Sequence, residues 1–415
     1  MRLAFFCSSL ESGKDGVGDY TRRLAGELVR RGHPAVIVAA NDRHVSQAAI
    51  EHQESEGCTI ATLRLPVGMS WSGRANTAAP WIKSFKPDWA SLQFVPYGFH
   101  SKGLCFGLGR WLPAVSPAAP WQVMFHELWL GLGQGAPLKD WLVGGLQRRL
   151  IRGLLRQLRP RVIQTQADAH QIVLAREHLS AAILPLFSNI PFVAGGDAWD
   201  NSLAPLLPEA AGGRPPARET LYLAGVLGAV HPEWQASRAV AALLPGLEST
   251  GKRLVLVFLG RNNVPPRTFQ ELRTELHGAA DVVVVGEKVP SELSQLLQAL
   301  DLGLATSPIQ AIQKSGSAAA MLEHGLPLLV VRDDWRLRGP ETPPHPANPR
   351  IFTLADFPVR PALPARIPGF PDFSALEGVA SQFLASLVSA APPSAAQLAP
   401  EPEPAPLANQ LSSMK

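Results

Sequence analysis

Short apolar runs alternate with amphipathic stretches along most of the chain. In the first half, apolar runs at residues 3–6 and 35–40 flank a glycine-containing loop and a stretch at 20–31 with helical spacing of its apolar residues. This order predicts a strand, a helix and a parallel strand in succession. Four more strands are predicted in this half, at residues 89–95, 121–125, 162–165 and 182–186.

A second series of the same kind follows a break in the pattern. Residues 195–218 are polar and rich in proline and glycine, which is typical of a linker. Beyond them, strands are predicted at residues 220–224, 254–259, 281–285, 302–305 and 326–331. We therefore expect an α/β protein of two Rossmann-like, doubly wound parallel-sheet domains facing a cleft.

The predicted first domain covers residues 1–194 and the second covers 219–391. A helix is predicted at 374–389, where the chain can cross back to the first domain. Residues 392–415 are rich in proline, alanine and glutamate, a composition that predicts disorder because it offers little to bury.

Composition narrows the class of protein. The 415 residues are 46% hydrophobic and 17% charged, and no apolar run approaches the roughly 18 residues that span a bilayer. A net charge of +4 does not by itself indicate a nucleic-acid partner, and we expect none. The cysteines at 7, 58 and 105 are odd in number and far apart, which favours a reducing compartment and a cytoplasmic protein.

Two segments have the glycines and small residues of an anion-binding helix start. One follows the first predicted strand, where glycines permit a tight turn and a helix N-terminus offers free N–H groups. NAD or FAD is an alternative ligand there, although the third glycine of the dinucleotide fingerprint is absent. This loop contains Gly16, Val17, Gly18, Asp19 and Tyr20.

The second segment precedes an alanine-rich helical run that stops at Gly325. Its small residues let N–H groups close on a diphosphate, and its lysine adds a positive charge. The alternative is an ordinary serine N-cap beside a solvated lysine. The residues are Lys314, Ser315, Gly316 and Ser317.

Polar side chains also follow several predicted strands, at the sheet edge where α/β proteins bind ligands. His126 and Glu127 follow the strand at 121–125, and Gln93 and Tyr97 end or follow another. We expect His126 and Glu127 to be catalytic, and Gln93 and Tyr97 to line the same site, because amides hydrogen-bond hydroxyls and aromatic faces stack on sugar rings. The alternative is that Glu127 caps a helix and His126 only packs.

In the second half, His231 and Arg261 follow predicted strands and could contact a phosphate or a sugar. Ordinary loop positions remain the alternative for both.

Several of these segments together resemble family 4 glycosyltransferases. The likeness covers residues 16–33, 125–127, 188–191, 256–261 and 314–327, in that order along the chain. It implies a GT-B fold and a nucleoside-diphosphate sugar as donor. It also implies that the glycine loop borders the phosphates and the acceptor, that His126 contacts the transferred sugar, and that Arg261 clamps a phosphate. On this resemblance, the residues expected on the acceptor side are Asp19, Tyr20, Gln93 and Tyr97.

One motif of that family is not kept. Its two glutamates, eight positions apart before Gly-Leu-Pro, correspond to Ile312 and Ala320. Glu323 could take the donor contact only if the helix is shifted or rotated, because three positions move a side chain most of a turn.

A basic amphipathic helix is predicted at residues 146–159, with leucines on one side and arginines on the other. We expect the leucines to pack on the sheet. The arginines are either solvated or in contact with anionic lipid at the inner membrane face. They are Arg148, Arg149, Arg152 and Arg156.

Together these features predict a glycosyltransferase that moves a sugar from a nucleoside-diphosphate sugar to a hydroxyl of a carbohydrate or lipid-linked acceptor. Synthesis of cell-surface polysaccharide, glycolipid or a related glycoconjugate is the expected role. No cofactor and no metal are expected, because helix N-termini and basic side chains can replace a cation. The alternatives are a nucleotide-sugar epimerase and a catalytically silent nucleotide-sugar-binding protein.

Overall fold

The structure is a computed structural model that describes residues 1–196, 198–207, 216–356, 363–366 and 375–391. The segment predicted to be disordered, 392–415, and residues 208–215 of the predicted linker lie outside the described residues.

An eight-stranded sheet forms the first half, in the order β3-β4-β2-β1-β5-β6-β7-β8. All neighbouring pairs are parallel except β3 and β4. That pair is a hairpin that the sequence analysis missed, and a two-residue turn at Glu56 and Gly57, both with positive φ, closes it. The strands are β1 (Leu3–Cys7), β2 (Ala35–Asp42), β3 (Ala49–Ser55), β4 (Cys58–Pro66), β5 (Trp89–Phe94), β6 (Trp121–Phe125), β7 (Val162–Thr165) and β8 (Ala182–Ile183).

Helices cover both faces of this sheet. Side chains of β1 alternate between two cores, with Ala4 and Phe6 on one face and Leu3 and Phe5 on the other. The helices of this half are α1 (Gly16–Arg30), α2 (Trp71–Phe85), α3 (Pro96–Phe99), α4 (Leu108–Val115), α5 (Leu138–Leu158) and α6 (Asp168–Arg176).

A six-stranded, all-parallel sheet forms the second half, in the order β11-β10-β9-β12-β13-β14. Its strands are β9 (Leu221–Leu227), β10 (Arg253–Leu259), β11 (Asp281–Gly286), β12 (Leu302–Ala305), β13 (Leu328–Val330) and β14 (Ile351–Thr353). Its helices are α7 (Ala236–Thr250), α8 (Pro266–Glu275), α9 (Pro290–Ala299) and α10 (Gly316–Glu323). The prediction of two doubly wound α/β halves is confirmed.

The last described helix, α11 (Ala375–Ala390), packs on the first sheet rather than the second. Phe383 stacks on Phe5 with ring centroids 5.8 Å apart, and Leu376, Val379 and Leu387 are buried in the same core. The chain therefore crosses back to the first half at its end.

Loops that leave the carboxyl ends of both sheets meet at the cleft. Gln313, in a turn after β12, exchanges two hydrogen bonds with Asp168 at the start of α6, at 3.0 and 2.8 Å. An antiparallel bridge pairs Gly133, after β6, with Leu337, after β13. These contacts place the strand ends of the two halves opposite each other.

Candidate active site

The N-terminus of α10 lies at the cleft and is capped by a neutral side chain. The Ser315 hydroxyl accepts from the N–H of Ala318 at 3.3 Å. Among the described residues, no hydrogen-bond acceptor meets the N–H of Gly316 or Ser317. A Cβ placed on Gly316 would meet no atom within 4 Å, so this helix start is open. An anion could approach these N–H groups without displacing a protein group.

Lys314 spans the cleft from this helix start to the opposite wall. Its Nζ lies 2.8 Å from both carboxylate oxygens of Glu127, which follows β6. The Lys314 side chain is about a quarter exposed and that of Glu127 about half exposed. The structure thus brings together two residues that the sequence placed in different halves, and their charges neutralise each other.

His126, beside Glu127, is buried in the first wall of the cleft. Burial lowers the pKa of His126 to about 3, and the neighbouring Gln166 amide opposes this shift without cancelling it. The imidazole is therefore neutral at physiological pH. The ring of Tyr20 packs edge-on against it, with centroids 4.9 Å apart.

A chain of buried hydrogen bonds fixes the tautomer of His126. Each amide in it donates from its nitrogen and accepts at its oxygen, so the chain has one direction from His126 to α11. His126 Nε2 lies 2.9 Å from Gln93 Oε1, and therefore carries the proton, while Nδ1 is left as an acceptor. The remaining links are Gln93 to Ser91 at 2.7 Å, Ser91 to Gln122 at 2.6 Å, Gln122 to Gln164 at 3.0 Å and Gln164 to Ser386 at 3.3 Å.

Most of the residues in this series of hydrogen bonds were not predicted from the sequence. The available signal was a polar residue inside each of three neighbouring apolar strands, at Ser91, Gln122 and Gln164. A buried polar side chain requires a partner, so such residues on adjacent strands indicate a shared network. His170 was missed as well; burial lowers its pKa to about 3, and its Nδ1 lies 3.3 Å from the Thr165 hydroxyl.

The residues predicted as a glycine loop form the first turn of α1, which begins at Gly16, and the N-cap Asp15 bears on the predicted donor-phosphate site. The Asp15 carboxylate accepts from the N–H groups of Val17 and Gly18, at 3.0 and 2.8 Å. A second anion there would meet this carboxylate. Gly18 is needed for packing, because a Cβ on it would lie 2.3 Å from the Ser9 carbonyl oxygen. The Gly16 carbonyl accepts from the Asn189 amide at 2.9 Å, which ties the start of α1 to the end of the first half.

The residues predicted on the acceptor side are mostly occupied or buried. Asp19 pairs with Arg22 and accepts from the N–H of Gly13. Tyr20 and Gln93 are buried behind the wall, so they support His126 and offer no surface to an acceptor. Tyr97 is partly exposed, and its hydroxyl accepts from the Gln147 amide at 3.2 Å.

Arg261 lies at the rim of the cleft in a cluster that links the two halves. It pairs with Glu287 at 2.6 Å, and its guanidinium also donates to the carbonyl of Gly13 at 3.4 Å. Lys14 lies 3.8 Å from the same glutamate. In this structure the guanidinium therefore already has an anionic partner.

His231 follows β9 and is exposed. Partial burial and then the charge of Arg332 lower its pKa. Arg332 is itself buried, pairs with Glu233 and Asp334, and donates to the carbonyl of Thr306 after β12. This buried cation near the strand ends was not predicted.

The bounds of α10 show that Glu323 does not lie at the candidate phosphate site. Glu323 ends the helix, so it is at the opposite end from Ser315, and its carboxylate accepts from the N–H of Ser188 at 2.6 Å. It holds the two halves together there and does not reach the helix start. Ile312 and Ala320, at the places of the two family glutamates, are buried in the apolar core.

Within the described ranges, no group of three or more His, Cys, Asp or Glu side chains has the arrangement of a metal site. No described helix combines the length and apolar character that crossing a bilayer requires.

No protein-family model matches the chain, and no curated protein matches it. Solved structures do. Sucrose-phosphate synthase from Thermosynechococcus elongatus is 13% identical with a TM-score of 0.55, and the match covers 94% of this chain and 100% of that one. Anabaena Alr3699/HepE in complex with UDP-glucose is 12% identical with a TM-score of 0.52 and the same coverage. The same protein in complex with UDP is 10% identical, also at 0.52.

At 10–13% sequence identity, the likeness to these solved structures establishes the fold and nothing finer. The two parallel sheets, their facing carboxyl ends and the returning last helix are those of the GT-B fold.

Proposed function

We propose that this protein is a glycosyltransferase that moves a sugar from a nucleoside-diphosphate sugar to an acceptor hydroxyl. One observation carries the proposal: the open, neutrally capped start of α10, with Lys314 beside it, lies opposite a wall that presents Glu127, with the neutral His126 buried directly beside it. The first surface suits a diphosphate, and the second suits an uncharged sugar.

The resemblance of five sequence segments to family 4 glycosyltransferases supports this proposal. The GT-B fold agrees with it, and one structural neighbour holds UDP-glucose. The buried Ile312 and Ala320 depart from that family, so the ribose contact must come from other groups. Among the alternatives, this departure favours a silent nucleotide-sugar-binding protein.

In the proposed reaction, the acceptor oxygen bonds to the anomeric carbon as the bond from that carbon to the diphosphate breaks. The leaving diphosphate gains negative charge, which Lys314 and the N–H groups of α10 stabilise. No cofactor takes part, and these groups supply the positive charge that a metal supplies elsewhere. The acceptor is a carbohydrate or lipid-linked hydroxyl.

Glu127 has a second role in this scheme. Its two carboxylate oxygens accept hydrogen bonds from the Lys314 ammonium at 2.8 Å. A diphosphate that attracts Lys314 releases Glu127, which can then accept the proton from the acceptor hydroxyl. Donor binding therefore precedes activation of the acceptor.

The test is a panel of nucleoside-diphosphate sugars, first ranked by thermal shift and then incubated with and without candidate acceptors. Release of nucleoside diphosphate that requires the acceptor supports transfer. A changed sugar without an acceptor indicates an epimerase, and tight binding without turnover indicates a silent binding protein.

His126→Ala sharpens this test. Transfer should fall while the affinity for nucleoside diphosphate stays near that of the parent, because His126 lies on the wall opposite α10. An equal loss of nucleotide affinity would show that His126 is not on the sugar side.

A further inference from the structure

Helix α5 buries only one of its sides, and its buried residues fall mainly in its second half. Those packed inward are Gly144, Gln147, Ile151, Leu154, Leu155 and Leu158. The helix starts at Leu138, eight residues before the start predicted from the sequence, so its first two turns form a surface that the sequence analysis did not consider.

Four large apolar side chains of those first turns point into solvent. Leu138, Trp141, Leu142 and Leu146 are 71%, 53%, 59% and 42% exposed. Their spacing of three or four residues places them on one face of the helix. Leu146, which the sequence pattern predicted to pack on the sheet, lies on this outer face instead.

The same outer face changes character along the helix. At about 100° per residue, Arg149, Arg152 and Arg156 continue the stripe that begins with Leu138 and Leu142. One face is thus apolar for about 12 Å and basic for the next 10 Å, at 1.5 Å per residue. We call this stripe, from Leu138 to Arg156, the α5 face.

The charges of the α5 face are not all neutralised within the protein. Arg148 and Arg152 both pair with the buried Glu177. Among the described residues, no carboxylate lies within ion-pair distance of Arg149 or Arg156, and both arginines are exposed. They are available to an external anion.

A groove of about 770 Å³ runs beside the α5 face. Trp129 and Leu132, from the loop after Glu127, line its inner side, and Leu337 and Arg338 of the second half close it. The α5 face therefore lies one loop away from the candidate active site.

We propose that the α5 face docks on an anionic lipid bilayer. The apolar residues enter the interface, and Arg149 and Arg156 contact headgroup phosphates. Charge complementarity selects this occupant, because the apolar stripe ends in two unpaired arginines. The leucines of the second half of α5 thus pack in the domain core, whereas Leu138, Leu142 and Leu146 contact the membrane. The proposal does not depend on glycosyl transfer.

The test is binding of the full chain to vesicles of phosphatidylcholine with 30 mol% phosphatidylglycerol, measured by flotation, with pure phosphatidylcholine vesicles as comparison. Arg149→Gln with Arg156→Gln should weaken binding roughly 30-fold, since each basic residue near an anionic surface contributes a factor of about five. Arg238→Gln with Arg267→Gln, two exposed arginines of the second half, should bind as the parent does.

Trp141→Ser with Leu142→Ser tests the apolar end, and a loss of about tenfold or more is expected. The matched control is Ile50→Ser with Val67→Ser, which are equally exposed apolar residues elsewhere. Circular dichroism checks that each variant is folded.

Three outcomes would overturn the proposal. The first is that the parent binds neither kind of vesicle, and the second is that the α5 variants bind like their controls. The third is a dimer in analytical ultracentrifugation that Trp141→Ser with Leu142→Ser abolishes while vesicle binding is absent, which would make the α5 face a contact between two copies of the chain.

Discussion

Two helix starts face the cleft, and they differ in what occupies them. At α1, the Asp15 carboxylate accepts from two N–H groups, so a negative charge of the protein itself fills the position. At α10, the Ser315 hydroxyl accepts from one N–H, and Lys314 adds a positive charge beside it. Small residues and glycines at a helix start are compatible with either arrangement. The charge of the capping side chain decides which helix can receive an anion.

The largest effect on ligand affinity is expected from the substitution of Lys314. Lys314→Ala should weaken nucleoside diphosphate on the order of 10- to 100-fold and leave free nucleoside unchanged, because a charge-assisted contact is lost. Calorimetric titration with nucleoside, monophosphate and diphosphate measures the difference.

Two variants control this experiment. Lys288→Ala removes an exposed lysine of the same half that pairs with Glu292, and it should have no effect. Glu127→Gln should retain or tighten diphosphate binding, because it frees Lys314 from its present partner. If Lys314→Ala binds all three ligands like the parent, the contrast between the two helices is misassigned and the region around Arg261 and His231 is the next candidate.

Substitution of Gly18 and of Gly316 compares how closely the starts of α1 and α10 are packed. Gly18→Ala should destabilise the protein by about 1–3 kcal/mol, because the new Cβ would meet the Ser9 backbone at 2.3 Å and the chain must shift. Gly316→Ala should be neutral or stabilise by up to about 1 kcal/mol, because its Cβ points into open space. Urea unfolding of both variants decides; equal destabilisation would mean that α10 is as closely packed at its start as α1.

Ser315→Ala distinguishes the contribution of the capping hydroxyl to diphosphate binding from that of Lys314. Loss of the hydroxyl bond to the Ala318 N–H should cost about 1 kcal/mol of stability. Diphosphate affinity should fall less than in Lys314→Ala, since the backbone N–H groups remain. A larger affinity loss than that of Lys314→Ala would assign the phosphate contact to the hydroxyl.

The smallest effect concerns Asp15. Burial is the main cause that raises its pKa, so the folded protein binds this proton more tightly than the unfolded chain does. The contribution of Asp15 to stability is therefore greatest at low pH and declines as pH rises from 3.8, the ordinary pKa of an aspartate, through the raised pKa. Asp15→Asn keeps a capping side chain and does not titrate.

The stability of Asp15→Asn relative to the parent should increase across that pH window and stay level above it. Urea midpoints of both proteins between pH 3.5 and 7 measure this. A difference that stays constant with pH would show that the carboxylate is not held in an unfavourable setting.

The sequence predicted the two sheets because buried parallel strands are continuous apolar runs, as in β1 and β10. It missed the β3–β4 hairpin because β3 is an edge strand in which the exposed polar residues His52 and Glu54 alternate with partly buried polar residues such as Glu51 and Gln53, so the strand is not an apolar run. It could not distinguish the two helix starts, because Asp15 and Ser315 are both common N-caps. The hydrogen-bond chain behind His126 requires knowledge of which strands are neighbours.

The returning helix α11 has a consequence for how the protein is made. Phe5 leaves the ribosome before the second sheet is made, whereas its stacking partner Phe383 is synthesised only after the whole second sheet. Until then, one apolar face of the first sheet lacks the side chains of Leu376, Phe383 and Leu387. The first half therefore completes its core after translation of the second half, and a chain that stops before residue 375 loses stability in the domain that was made first.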